Sequence, residues 1–156
     1  MGQQRDGDLV DTTYAQQEGG REYLRVLQEA EKNAKCPFCP DNLSKGNTVV
    51  YRVADWSAIR NRWPYPNAAA HYLLIPDMHI TDVGGVGGLD WGYVQELIRV
   101  LRQKDPSLRN GGGLALRFGT NSGVTVRHLH FHLVAPVVDP STGKVYPGKH
   151  VDFPVG

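Results

Sequence analysis

Apolar and polar positions divide the chain into helix-period and strand-period segments. From Arg21 to Ala34, the residues Tyr23, Leu24, Leu27, Ala30 and Ala34 recur at helical spacing with charges elsewhere, which predicts an amphipathic helix. A second helix is predicted over "LDWGYVQELIRVLRQK". There Trp91, Val94, Leu97, Ile98 and Leu101 share one face, Asp90 stands at the N-cap and "LRNGGG" ends the run. The β-branched run "NTVVYRVA" predicts a strand, and "SAIRNRW" a second, shorter one. "HYLLI" is a third strand, stopped by Pro76, and "LALRFGT" and "RHLHFHLVAP" are two more joined by the turn "NSGV". "PYPNAAA" reads as a connector and "PDMHITDVGGVGG" as a long loop. Strands with few intervening helices predict an α+β fold: a mostly antiparallel five-stranded sheet with two main helices.

The two ends lack such patterning. Residues 1–18 are polar and aperiodic, predicting a mobile arm. Residues 137–156 carry Pro140, Pro147 and Pro154, so this tail is expected to pack on the surface without regular structure. Residues 19–136 remain as one domain, long enough to bury a single core. An apolar content of 40% with 21% charged residues excludes general disorder. A formal charge of +1 excludes recognition of a polyanion or a membrane by overall field, so an anionic ligand must be held by local groups. No apolar run approaches the roughly 18 residues of a membrane span. The opening "MGQQRDGDLV" has no h-region, and Asp6 stands where a myristoylation site wants Ser or Thr. The expectation is a soluble, cytoplasmic protein with no membrane partner and no stable nucleic-acid complex.

Chemistry concentrates in two places. Cys36 and Cys39 form a C-x-x-C pair in "KCPFCPDN", after a helical stretch and before the turn-rich "PDNLSKGN". That context favours a metal knuckle over a redox pair, provided the chain supplies two more ligands. "VRHLHFHLVAP" places His128, His130 and His132 at alternate positions. In a strand such residues share one face, roughly 6.5–7 Å apart, while Leu129, Phe131 and Leu133 enter the core. A chance triple of this kind arises in about one chain in a hundred, which favours a functional reading. Either the three bind one metal, or the central one is a nucleophile flanked by helpers. No carboxylate lies between Asp105 and Asp139, which excludes a carboxylate-rich polynuclear site.

"HLHFHLV" matches the His-φ-His-φ-His-φ-φ pattern, with φ apolar, and "NRWPYPNAAAHYLLIPDMH" resembles the ribose-binding strand and the H-φ-L-φ-I-P-x-x-H element of the histidine-triad (HIT) family. "CPFC" sits where zinc-carrying members of that family have their cysteine pair. The resemblance spans about residues 36–136 with the elements in the same order. Two departures stand out: the turn "GTNSGVTVRH" is short and lacks glutamine, and Ala69-Ala70-His71 replaces P-G-H. The shortened turn is similar to the dinucleoside polyphosphate phosphorylase and galactose-1-phosphate uridylyltransferase branches.

The resemblance implies a nucleotide hydrolase or nucleotidyl transferase acting at the α-phosphate of a phosphoanhydride or phosphoramidate. His130 would be the nucleophile, since a neutral imidazole is competent near pH 7. His132 would contact the phosphate or protonate the leaving group, with His71 lining the pocket. Asn61 would bind ribose, and Asn121, Ser122 and Gly123 the phosphoryl oxygens. Cys36, Cys39, His79 and His128 would form a closed structural zinc site, with His71 as the alternative ligand to His79. A homodimer is implied, and the helix at 90–104 is one candidate contact. The competing expectations are a nucleotide-binding module of the same fold with little catalysis, and a catalytic zinc held by the whole triad. Trp63, Tyr65 and Phe118 are more readily packing residues than base-stacking ones. Arg117 and Arg127 read as solvated strand charges, and His150 as a surface residue.

Overall fold

Strand alternation sends side chains to two faces, and both faces are covered. The structure is a computed structural model that describes residues 9–12, 15–84 and 89–156. In chain order the elements are α1 (Ala15–Lys32), α2 (Pro40–Gly46), β1 (Val49–Val53), β2 (Trp56–Arg60), β3 (Ala68–Pro76), α3 (Trp91–Lys104), β4 (Gly113–Leu116) and β5 (Phe131–Pro136). The sheet order is β1-β2-β3-β5-β4, antiparallel throughout, so β4 is an outer edge.

One face buries Trp56 and Ala58 of β2, Ala70, Tyr72 and Leu74 of β3, and Phe131, Leu133 and Ala135 of β5 against Val94, Leu97 and Leu101 of α3. The side chain of Asp90 accepts from the Gly92 N–H at 2.8 Å and caps α3 as expected. Trp91 is half exposed, yet its ring meets Phe131 edge-on at 5.3 Å. The opposite face carries Ile59, Leu73 and Ile75, covered by Leu27 of α1, by Phe38 and Leu43 around the cysteines, and by Val10 and Val126. The histidine side of β5 therefore faces a roofed interior and not bulk water.

Several boundaries differ from the sequence reading, each for a local reason. α1 starts at Ala15 and not Arg21, and Gly20 breaks it with a left-handed φ of 73° that a side chain would strain. Of the expected arm, residues 1–8 and 13–14 lie outside the described residues, while Val10 is buried and bridges Val126. "PDNLSKG", which reads as a loop, forms α2, with Pro40 in its first turn where a missing N–H costs nothing. Ala68–Ala70, which read as connector, belong to β3. β4 stops at Leu116, before the left-handed Gly119 and the 3-10 turn Thr120–Ser122.

The most consequential difference lies in the histidine segment. β5 begins at Phe131, so His128 and His130 precede the ladder. Their stretch of backbone pairs elsewhere: the Arg127 N–H donates to the Leu9 carbonyl at 2.9 Å and the Leu129 N–H to that of Ile80 at 2.6 Å. Just ahead of the ladder, the His128 carbonyl accepts from the ring of His130. Among the described residues, no helix is long and apolar enough to cross a membrane.

Candidate active site and metal centre

The antiparallel register brings His71 and His132 together. Leu73 stands opposite His132 and His71 opposite Val134, so the two histidines are diagonal neighbours on one face, their ring centroids 5.2 Å apart. His130, just before the strand begins, has its ring 4.9 Å from that of His132. His71, His128, His130 and His132 are all buried, none more than 5% exposed. Burial lowers His71, His130 and His132 below the ordinary imidazole value: the first two to about 4, with the charge of Arg117 as a further cause, and His132 well below. Near neutral pH these three rings carry no charge.

A neutral imidazole holds one proton, and the hydrogen bonds decide where it sits. The Tyr65 backbone N–H donates to Nδ1 of His71 at 3.1 Å, so that nitrogen is bare and the His71 proton is on Nε2. His71 Nε2–H faces Nδ1 of His132 at 2.9 Å and donates to it. The proton of His132 must then be on its own Nε2, a buried atom with no hydrogen-bond partner among the described residues. The Asn61 amide nitrogen is 3.3 Å from both ring nitrogens of His71 and favours neither, so it does not disturb this order. His130 has the opposite arrangement. Its Nδ1–H donates to the His128 carbonyl at 2.7 Å, which leaves Nε2 with an available lone pair. One backbone amide and one backbone carbonyl thus set a hydrogen-bond donor on His132 beside a nucleophilic nitrogen on His130.

His128 turns the other way. Its Nε2–H donates to the Pro76 carbonyl at 2.7 Å, so its bare Nδ1 looks towards the sulfurs of Cys36 at 3.5 Å and Cys39 at 3.7 Å. Nδ1 of His79 is 3.3 Å from the Cys39 sulfur. One ligand atom from each of Cys36, Cys39, His79 and His128 lies within 4.8 Å of the others, a group able to hold a metal ion. Ligand atoms on a tetrahedral zinc stand about 3.3–3.8 Å apart, given Zn–S of about 2.3 Å and Zn–N of about 2.0 Å, so the donors fit that ion. Burial pushes the Cys36 thiol up to about 12, and it is a bound cation that would favour the thiolate. His71, the alternative ligand that the sequence left open, is absent from this group.

A cleft lies over His130 and His132. Asn61, Trp63, Tyr65, Arg117, Phe38 and Tyr23 are among its lining residues. Trp63 meets Tyr23 at 4.6 Å and Tyr65 stacks on His132 at 5.4 Å, so both aromatics pack within the protein while lining the cleft. The turn is placed differently from the sequence expectation. Asn121 is exposed, and Ser122 and Gly123 are buried; none of the three lines the cleft, whereas Thr125 and Val126 do. The Ser122 hydroxyl donates to the Gly119 carbonyl at 3.0 Å. Phe118 is exposed and outside the lining. His150 is exposed beside Asp152, as expected.

Arg117 corrects the sequence reading. The strand pattern makes it a solvated charge, but it is 5% exposed and lines the cleft with His130 and His132. The strand has ended at Leu116, so the in–out alternation no longer governs it, and its Nη1 donates inward to the Gly123 carbonyl at 3.0 Å. Arg127 is half-buried and reaches Asp11 at 3.7 Å instead of standing in solvent.

Residues 35–145 match the family model described as "Scavenger mRNA decapping enzyme C-term binding". The chain belongs to that family. Among curated relatives, an uncharacterized HIT-like protein of Chlamydia muridarum is 29% identical over 87 residues, covering 54% of this chain and 68% of that one. Among solved structures, a HIT family hydrolase from Legionella pneumophila is 28% identical with a TM-score of 0.51, covering 64% of this chain and 94% of that one. A HIT family hydrolase from Clostridium thermocellum is 27% identical with a TM-score of 0.52, covering 65% and 90%. The chain therefore has the histidine-triad fold, with the cysteine pair in place, and resembles hydrolases of that family.

Proposed function

We propose that the chain is a nucleotide hydrolase or nucleotidyl transferase that attacks the α-phosphate of a nucleoside phosphoanhydride through His130. The pair of opposed tautomers carries this reading: a bare Nε2 on His130 and an Nε2–H on His132, side by side beneath one cleft. In the first step the His130 Nε2–phosphorus bond forms while the bond from phosphorus to the leaving oxygen breaks, and that electron pair departs with the oxygen. In the second, water or phosphate attacks, the nitrogen–phosphorus electrons return to His130, and the proton of an incoming water passes to solvent.

His132 supplies a hydrogen bond and not a proton. Each Nδ1 of the His71–His132 pair already accepts an N–H, so a third proton has no ring nitrogen to occupy without breaking a bond of the chain. A phosphate oxygen leaves readily as an anion, whereas a phosphoramidate nitrogen must be protonated first. That favours anhydrides over phosphoramidates. Asn61, at the cleft wall, would bind the ribose hydroxyls. Asn121, Ser122 and Gly123 would act by shaping the turn behind the cleft.

Cys36, Cys39, His79 and His128 would hold zinc. In a closed set of four ligands the ion is structural, tying the cysteine loop to His128, whose carbonyl holds His130. A homodimer would continue the sheet across the outer edge of β4, because α3 spends Val94, Leu97 and Leu101 on its own sheet. The cytoplasm is the compartment that suits an intact thiol pair.

The test is incubation of wild type and His130→Gly with diadenosine tetraphosphate, adenosine 5′-phosphoramidate and, because the matched family is named for decapping, a capped dinucleotide. Each is run with and without inorganic phosphate and read by product identity. The expected result is anhydride cleavage by wild type alone, with the phosphoramidate slower. Equal turnover by both proteins removes His130 from the chemistry. AMP binding without any turnover leaves a nucleotide-binding module of this fold.

A further inference from the structure

The hydrogen bonds that orient the three histidines beneath the cleft leave them one lone pair, on His130, and one N–H, on His132, to offer a phosphate. A phosphoryl group under attack is anionic and gathers more charge on its oxygens in the transition state. Among the described residues, the charged side chains that line the cleft are Arg62 and Arg117. Arg62 is at the mouth: its side chain is 43% exposed, spreads over the Trp63 ring at 4.7 Å and pairs with the more exposed Glu22 at 3.1 Å. A pair so exposed is screened by water and adds little at the reacting centre.

Arg117 is the opposite case. It enters from the end of β4, is buried, and shares the lining with His130 and His132. Contacts within the fold hold its guanidinium. Nη1 donates to the Gly123 carbonyl at 3.0 Å, and Cζ lies 5.7 Å from the centroid of the Phe153 ring. Phe153 in turn meets His132 edge-on at 5.2 Å, so one aromatic ring touches both the cation and the donor histidine. A planar guanidinium offers two oxygens of a phosphate a matched fork, which an amide or a hydroxyl cannot. A charge placed before the reaction needs no rearrangement as the transition state forms.

We propose that Arg117 is a catalytic residue of this site, the fixed positive charge that grips the α-phosphate oxygens and holds the charge they gain as the His130–phosphorus bond forms and the leaving bond breaks. The assignment rests on the nucleotide reading above. It adds a prediction about ligands: affinity in this cleft comes from the phosphate, and the nucleoside alone binds weakly.

The experiment titrates AMP and GMP against adenosine and guanosine, using wild type, Arg117→Gln and Arg117→Lys, with thermal melts of all three proteins. Arg117→Gln is expected to weaken the monophosphates about 10- to 100-fold, the range of a lost charge-assisted bond, while nucleoside affinity stays within about two-fold. Arg117→Lys keeps the charge without the fork and should fall between. Turnover should drop further than binding, since the oxygens gain charge only in the transition state. Unchanged monophosphate affinity in Arg117→Gln overturns the assignment. So does an equal loss for nucleotides and nucleosides in the foldable Lys variant, which would mark Arg117 as a brace for the turn. If wild type prefers no monophosphate over its nucleoside, the nucleotide reading itself fails, a result distinct from either.

Discussion

The chain builds two sites from the same residue type on one short stretch of backbone, and they differ in which ring nitrogen the backbone occupies. At the sulfur cluster, the Pro76 carbonyl takes Nε2–H of His128 and turns Nδ1 towards Cys36 and Cys39. Beneath the cleft, the His128 carbonyl takes Nδ1–H of His130 and leaves Nε2 for chemistry. His128 belongs to both: its ring faces the cysteines and its carbonyl holds the neighbouring histidine. A histidine pattern therefore does not say what each imidazole does; the carbonyl that each ring finds decides whether it can ligate, attack or donate.

The contrast can be broken from either side. The largest effect is expected at the cleft: His130→Gly should lower anhydride turnover by about a thousand-fold or more, because the covalent route is lost, while leaving metal content at the wild-type level. Turnover assays and metal analysis on the same preparation would check both halves. Cys36→Ser should do the converse, removing the metal and lowering the unfolding temperature by several degrees, with a smaller loss of turnover transmitted through His128. Metal retained in that variant would show that the sulfur cluster is not the binding site.

His71→Phe sharpens the comparison within the cleft. It removes the donor that sets the tautomer of His132, and turnover is expected to fall about ten-fold, chiefly in kcat, with the metal unaffected. The smallest effect is in the pH dependence. His71 titrates near 4 when folded, against an ordinary 6.5, so folding favours its neutral form. That contribution to stability is complete above pH 6.5 and is lost as the pH falls from 6.5 towards 4, because only the unfolded chain takes up the proton over that window. Melting temperature should be level above that window and decline within it, with a shallower decline in His71→Phe.

Much of this was legible in the linear pattern. The alternation of His128, His130 and His132 with Leu129, Phe131 and Leu133 marked the candidate segment, and the spacing of Cys36, Cys39 and His79 agrees with one cluster. Arg117 was not legible. Its placement in "LALRFGT" gave it the appearance of an outward strand residue, and nothing in the order of residues marks the strand as ending one position earlier. A glycine two positions on, at Gly119, was the available hint. Asn121 and Ser122 stand in a short turn whose side chains can project to either side, and in the structure neither lines the cleft.

Residue types and their periods were sufficient for the layer arrangement, because burying apolar stripes of period 2 and 3.6 admits few packings. They were sufficient also for the list of imidazoles and thiols on which the chemistry draws. The backbone groups that set each proton, the choice of His79 over His71 in the sulfur cluster, and the charge under the cleft came only with the fold. Each depends on a hydrogen bond or a close approach between residues far apart in the chain, such as His128 with Pro76 or His71 with His132, and no local pattern encodes such distances.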